Sequence, residues 1–301
     1  MALTILSIIG IIFTTAGTLS ASSISAGPIK IVTSFSILKD FVQKITEGND
    51  AVQIDSIVPL ESDPHTYQPT PKDSIALAQA DIIFINGLDF EKSIEKMIMS
   101  AGFTGKVCRT SDGITPRTEP LDPHLWHDIN NAKVYVINIT KFLSEHDPTN
   151  RCLYKKNEKK FLEQLDLLDR WIRKQFERIP ENQRLVVTTH DAFWYFGKAY
   201  NIQFLAPVGI STDTEASAQK VATLIDLIKS KNIKAIFVEN LASPRLLQQI
   251  AEETGLTLQG ILYADSLSTT TGPAATYEEM MRHNVTTILQ AWEKAAKCQK
   301  Q

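Results

Sequence analysis

Three cysteines in 301 residues, no basic stripe, and no long apolar run after the first 24 or so positions remove several classes of protein at once. Cys108, Cys152 and Cys298 are odd in number and widely spaced, so they do not make a disulfide framework, and they lack the CxxC spacing of a structural zinc site. One bridge fits the count; thiol catalysis has no support. With 31 Lys and Arg against 34 Asp and Glu, the formal charge is -3, and nothing tracks a phosphate backbone, so no nucleic-acid partner is expected. There is no GxxxxGK[ST] loop, so the chain cannot itself drive a process with ATP, and no HExxH helix of a zinc hydrolase.

The opening MALTILSIIGIIFTTAGTLSASSI is apolar, then small, and uncharged. It reads as a signal peptide over residues 1–26, cleaved near SISA, although the usual Lys or Arg at its front is missing. The apolar core is short and broken by Ser, Thr and Gly, which makes it a poor membrane span. No cysteine lies near the cleavage point to take a lipid anchor. The expectation is a freely soluble protein exported to the periplasm.

From Pro28 onward, short β-branched runs alternate with amphipathic helices. IKIVTSF, AVQIDSIVPL, DIIFING and KVCRTS read as strands, and SILKDFVQKITEG, TPKDSIALAQA and DFEKSIEKMIMSAG as helices. Thr70 is the expected N-cap of the second helix, with Pro71 in the first turn. RLVVTTH, IQFLAPVG, IKAIFVEN and LTLQGILYADS continue the strands in the second half, and Asp191 is expected to cap the helix DAFWYFGKAYN. Such alternation means an α/β protein with parallel sheets. Between the two blocks, NRCLYKKNEKKFLEQLDLLDRWIRKQFERI has no glycine or internal proline and spans roughly 40 Å as one helix, long enough to act as a strut. The expected division is a lobe at 27–147, a linking helix at 148–179 and a second lobe at 180–301.

Ligands of open parallel sheets bind beyond the carboxyl ends of the strands. His65, in DPHTYQP, follows a strand; His124, in DPHLWHD, precedes a helix; His190 and Asp265 end strands. Two come from each lobe. Three imidazoles and a carboxylate suit a borderline divalent metal, whereas a lone loop histidine is usually just solvated. His146 and His283 keep that plain reading, His127 is a second-choice ligand through its HxxH spacing with His124, and Glu239 is the rival carboxylate. Because imidazoles ligate only when neutral, affinity should fall below about pH 6.

DPHTYQPTPKD, DPHLWHD, THDAFWYFGKAYN and YADSLS, in this order, resemble the cluster A-I, or TroA/ZnuA-like, metal-binding solute-binding proteins of bacterial zinc and manganese ABC transporters, over essentially the whole mature chain. The resemblance implies two Rossmann-like lobes joined by a rigid helix, with metal in the cleft held by His65, His124, His190 and Asp265. It implies Zn2+ or Mn2+ as cargo, with Fe2+ as a third option, a membrane permease as partner and, for the protein itself, a monomer. Histidine at the third position is the TroA-like choice; glutamate there goes with manganese. The stretch before the second motif has one histidine, unlike the His-rich loop of many zinc importers, so the metal stays open. The rival class is an exported zinc hydrolase with Glu239 or Asp191 as base, but four protein ligands leave no place for activated water. An adhesin label, also used in this family, finds no adhesive surface here.

Overall fold

The computed structural model describes residues 27–298, so the expected signal peptide lies outside them. Its first half forms strands β1 (Ile29–Thr33), β2 (Val52–Ser56), β3 (Ile82–Ile85) and β4 (Lys106–Arg109), all parallel and ordered β2-β1-β3-β4. Helices α1 (Ser36–Thr46), α2 (Pro71–Gln79), α3 (Lys92–Ser100) and α4 (Ile129–His146) accompany them. Thr70 caps α2 as expected, and Asp73 completes a reciprocal capping box with Pro71 in the first turn.

The strut is α5, Arg151–Phe176. Pro148–Asn150 is a separate 3-10 turn, so the helix is shorter than the 148–179 expected. Its buried residues, Tyr154, Asn157, Phe161, Leu165, Leu168, Ile172 and Phe176, recur every three or four positions and form one stripe. At one end Phe161 meets Phe41 of α1, with ring centroids 5.5 Å apart. Asn157 Nδ2 there donates to the carbonyls of Ile45 and Glu47 (2.9 and 2.8 Å), closing the end of α1.

The second half repeats the arrangement. Strands β5 (Leu185–Val187), β6 (Gln203–Leu205), β7 (Ala235–Ile236), β8 (Val238–Glu239) and β9 (Ile261–Leu262) form parallel sets β6-β5-β7 and β8-β9. Since β7 and β8 are parted by Phe237 alone, their joint order repeats that of the first sheet. The helices here are α6 (Trp194–Tyr200), α7 (Ala218–Ser230), α8 (Arg245–Thr254) and α9 (Tyr277–Cys298). Phe176 of the strut packs on Phe196 of α6 and Trp292 of α9, and Arg173 Nη1 donates to the Ala199 carbonyl at 2.9 Å. Each end of the strut is thus bonded to a helix terminus in a different lobe.

Three local expectations change. The strand AVQIDSIVPL stops at Ser56, although Ile57 and Val58 still donate to Thr33 and Ser34 carbonyls (2.9 Å each). LTLQGILYADS keeps only Ile261–Leu262 as strand, because the Asn284 side chain of α9 satisfies both the N–H and the C=O of Tyr263 (2.9 and 2.7 Å). That releases YADS from the ladder to turn into the cleft. Asp191 does not cap α6, which starts at Trp194 behind Phe193; its carboxylate pairs with Arg117 instead.

The strut is not the sole tie between lobes. Tyr277, opening α9, packs on Phe41 with its backbone N–H on Asp40 (3.0 Å), and its hydroxyl donates to the Trp126 carbonyl (2.6 Å). Trp126 Nε1 in turn donates to the Ala264 carbonyl (3.0 Å), and Ser36 Oγ accepts from Leu267 N (2.9 Å). One continuous apolar core runs through both halves.

Between β3 and α3, buried Glu91 accepts from the backbone N–H groups of Asn86 (2.5 Å) and Gly87 (3.2 Å). Burial raises its pKa from the usual 4.5 to about 7, against the lowering effect of those bonds. The folded state therefore holds a proton the unfolded chain has lost, and stability declines as pH rises from about 4.5 to about 7. Comparing the metal-free protein with Glu91→Gln by urea unfolding, the wild type should lose up to about 3 kcal/mol relative to the variant across that window. Parallel pH profiles would contradict it.

Candidate metal centre

The two DPH stretches use the same local device. Asp63 Oδ1 accepts from His65 N (2.9 Å), and Asp122 Oδ1 from His124 N (3.0 Å). This is an Asx turn, with proline setting the backbone between its ends. Each turn projects its histidine ring into the gap between lobes. From the other side, His190 lies three residues past β5 and Asp265 three past β9. Side chains of all four are 3 % exposed or less.

Their ligating atoms converge. His65 Nε2 and His124 Nε2 are 3.1 Å apart, and His190 Nε2 and His124 Nε2 3.4 Å. Asp265 Oδ2 stands 3.2 Å from His190 Nε2 and 3.7 Å from His65 Nε2, and its Oδ1 is 3.5 Å from His124 Nε2. A tetrahedral ion with bonds of ~2.0–2.1 Å would set its ligand atoms ~3.3 Å apart. The observed spacings bracket that figure. Among the described residues no hydrogen-bond donor reaches Asp265 Oδ1, although it is buried.

The ring orientations follow from what stands behind them. His124 Nδ1 bonds Asp122 Oδ1 (2.8 Å), and His190 Nδ1 bonds Glu239 Oε2, so both Nε2 atoms are turned to the centre. Glu239 also takes the backbone N–H groups of Thr189 (2.9 Å) and His190 (3.0 Å). The rival carboxylate therefore backs a histidine and lies outside the converging set. Asp122 carried no separate signal in the sequence beyond its place in the repeated DPH idiom.

Protonation separates His65 from His190. Burial lowers His65 to about 3, so its ring is neutral through the physiological range. For His190 burial also disfavours the charge, but Glu239 and Asp265 outweigh it and hold the imidazolium well above its usual range. Burial disfavours the charge on Asp265, but the adjacent His190 outweighs it and holds the carboxyl below its usual range. An ion entering the centre would have to displace the proton held at His190.

The remaining histidines lie apart. His127 is fully buried, packed on Phe193 (4.6 Å between centroids) and outside the converging set, and burial lowers its pKa to about 3. His146 bonds the Phe142 carbonyl and His283 that of Ile261, both at exposed positions. Cys108 and Cys152 are free, and burial pushes the Cys108 thiol up to about 12. A cavity of ≈ 530 Å³ leads from solvent to the centre between Thr212, Thr214, Arg245 and Leu246, with Asp265 and His190 in its wall.

Two lobes of parallel sheet on a helical strut, with imidazoles and a carboxylate facing one another in the cleft, define a metal-binding protein of the two-lobed receptor type. Residues 31–291 match the family model described as zinc-uptake complex component A, periplasmic. The iron-binding protein YfeA of Yersinia pestis is 34% identical over 271 residues, 88% of this chain and 86% of that protein. The manganese-binding lipoprotein MntA of Halalkalibacterium halodurans is 31% identical over 264 residues, 87% of each. Among solved structures, the periplasmic zinc-binding protein TroA from Treponema pallidum aligns with a TM-score of 0.84 at 27% identity, covering 88% of this chain and 99% of that one.

The chain belongs to this family of metal-binding substrate-binding proteins of ABC transporters. These are extracytoplasmic transport components that work with a membrane permease, not enzymes, and the hydrolase reading falls. The lipoprotein name of the MntA relative runs against the expectation of an unanchored protein, which rested on the lack of a cysteine near residue 26.

Removing the carboxylate behind His190 should loosen ligation without unfolding the lobe. Glu239→Gln is expected to weaken Zn2+ binding 10- to 100-fold in a chelator competition, with an unchanged far-UV spectrum. Wild-type affinity in that variant would mean the pairing does not tune the ring.

Proposed function

We propose that this protein captures one divalent transition-metal ion between its lobes through His65, His124, His190 and Asp265, and hands it to the permease of an ABC importer. The observation that supports it is the convergence of three imidazole nitrogens and one carboxylate oxygen, all within 4.8 Å of one another, in the cleft between the lobes. Neutral nitrogen donors with one anionic oxygen suit zinc, and accept manganese and iron. The names of the relatives cover the same three: manganese, iron and zinc.

Loading and release run through the cavity beside Asp265. With the lobes held by α5 and α9, release is a local movement of the loop after β9 rather than a wide opening. The working unit is a periplasmic monomer, with lobes at 27–147 and 180–301 and a linking segment at 148–179 that carries α5.

The test is the metal content of the mature protein, purified natively and read by elemental mass spectrometry. About one equivalent of zinc, manganese or iron is expected in the wild type, and a shift from zinc toward manganese in His190→Glu. No bound metal in the wild type, or undiminished metal in a His65→Ala, Asp265→Ala double variant, would contradict the proposal.

A further inference from the structure

Arg117 lies in ITPRTEPLDPH, the stretch leading into the second DPH turn, where sequence reading gave it no role. Its Nη2 donates to Asp191 Oδ2 at 2.7 Å and stands 3.4 Å from Asp122 Oδ2. The guanidinium also covers the Trp194 ring, with Cζ 5.2 Å from its centroid. A parallel link runs through Tyr195, whose hydroxyl accepts from Arg117 N (2.8 Å) and donates to the Asp122 carbonyl (3.0 Å). Asp191, Trp194 and Tyr195 belong to the second lobe, and Arg117 and Asp122 to the first.

One guanidinium thus joins two carboxylates with different allegiances. Asp122 is fully buried and holds His124 at both its backbone N–H and its Nδ1. Asp191 directly follows His190 in the chain. Among the described residues, the Asp122 oxygen turned away from His124 makes no hydrogen bond by strict geometry and has Arg117 as its ion-pair partner. Without that partner, the buried carboxylate keeps its two Oδ1 bonds to His124 but leaves its other oxygen with no counter-charge, so it shifts to find one and carries the ring it orients with it. A flexible ammonium in place of the planar fork cannot reach both carboxylates in the same way.

We infer that Arg117 is a positioning residue for metal binding: it fixes Asp122, and through it the His124 ring, relative to the lobe that carries His190. The inference rests on His124 and His190 being ligands, and it adds a coupling between lobe docking and ligand orientation.

Co2+ is the probe, because its visible spectrum reports ligand geometry as well as occupancy. The mature wild type, Arg117→Ala, Arg117→Lys, Asp191→Asn and Arg109→Ala are compared, the last losing a surface pair with Glu95 (3.2 Å). Arg117→Ala should bind Co2+ 10- to 100-fold more weakly, with altered bands, and Arg117→Lys should recover only part of the loss. Arg109→Ala should stay within twofold of wild type. If Arg117→Ala does not fold, Asp191→Asn decides, with at least a threefold loss expected. Wild-type affinity and bands in Arg117→Ala, or in Asp191→Asn where it is the deciding variant, or an equal loss in Arg109→Ala, would overturn the role of Arg117 alone. Failure of the wild type to bind Co2+ would overturn the ligand assignment and the inference together.

Discussion

Three imidazole nitrogens and an ionised carboxylate converge in the cleft between the lobes, and much of the architecture serves to hold that convergence. Two of the three imidazoles have their Nδ1 atoms bonded to carboxylates behind them, so their Nε2 atoms face inward toward an ionised aspartate. Buried polar atoms ordinarily find partners in the protein itself, and a charge left without one is costly. Here a carboxylate oxygen at the centre finds no donor among the described residues. A divalent ion bound as proposed would satisfy all four groups at once. The two Asx turns, the interrupted ladder at β9 and the ties across the lobes can each be understood as means of holding that arrangement.

The rigidity is distributed. The strut α5 is bonded at each end to a helix terminus in a different lobe, and α9 returns to pack its first residue against α1. Trp126, two residues from His124, is fixed both by Ala264, beside Asp265, and by Tyr277. A displacement of one lobe would disturb the metal centre through several of these contacts. Closer to the mouth, the Thr212 hydroxyl donates to Asp63 (2.5 Å), joining the first DPH turn to the loop after β6. This density of ties works against a hinge motion of one lobe on the other.

Much of this was legible in the residues. Alternating strand and helix patterns gave the parallel sheets, and an uninterrupted amphipathic stretch gave the strut. The four converging residues stood out because each falls past a strand or before a helix, where such folds place ligands. What escaped notice depends on tertiary partners. Nothing in YADS shows that Asn284, about twenty residues on, would take over the hydrogen bonds of Tyr263 and end the strand early. Asp191 has the look of a helix cap until Arg117, 74 residues away, claims it. Glu239 reads equally well as ligand or support, and only the side of His190 it occupies separates the two. The HxxH spacing was misleading for His127, because a 3-10 turn at Leu125–His127 carries it into packing with Phe193.

The most direct measurement is X-ray absorption at the zinc edge on the mature, zinc-loaded protein. The account predicts a shell of three imidazole nitrogens and carboxylate oxygen at ~2.0–2.2 Å, with outer-shell scattering from the imidazole rings. Sulfur in the shell, or an all-oxygen shell without imidazole scattering, would contradict it.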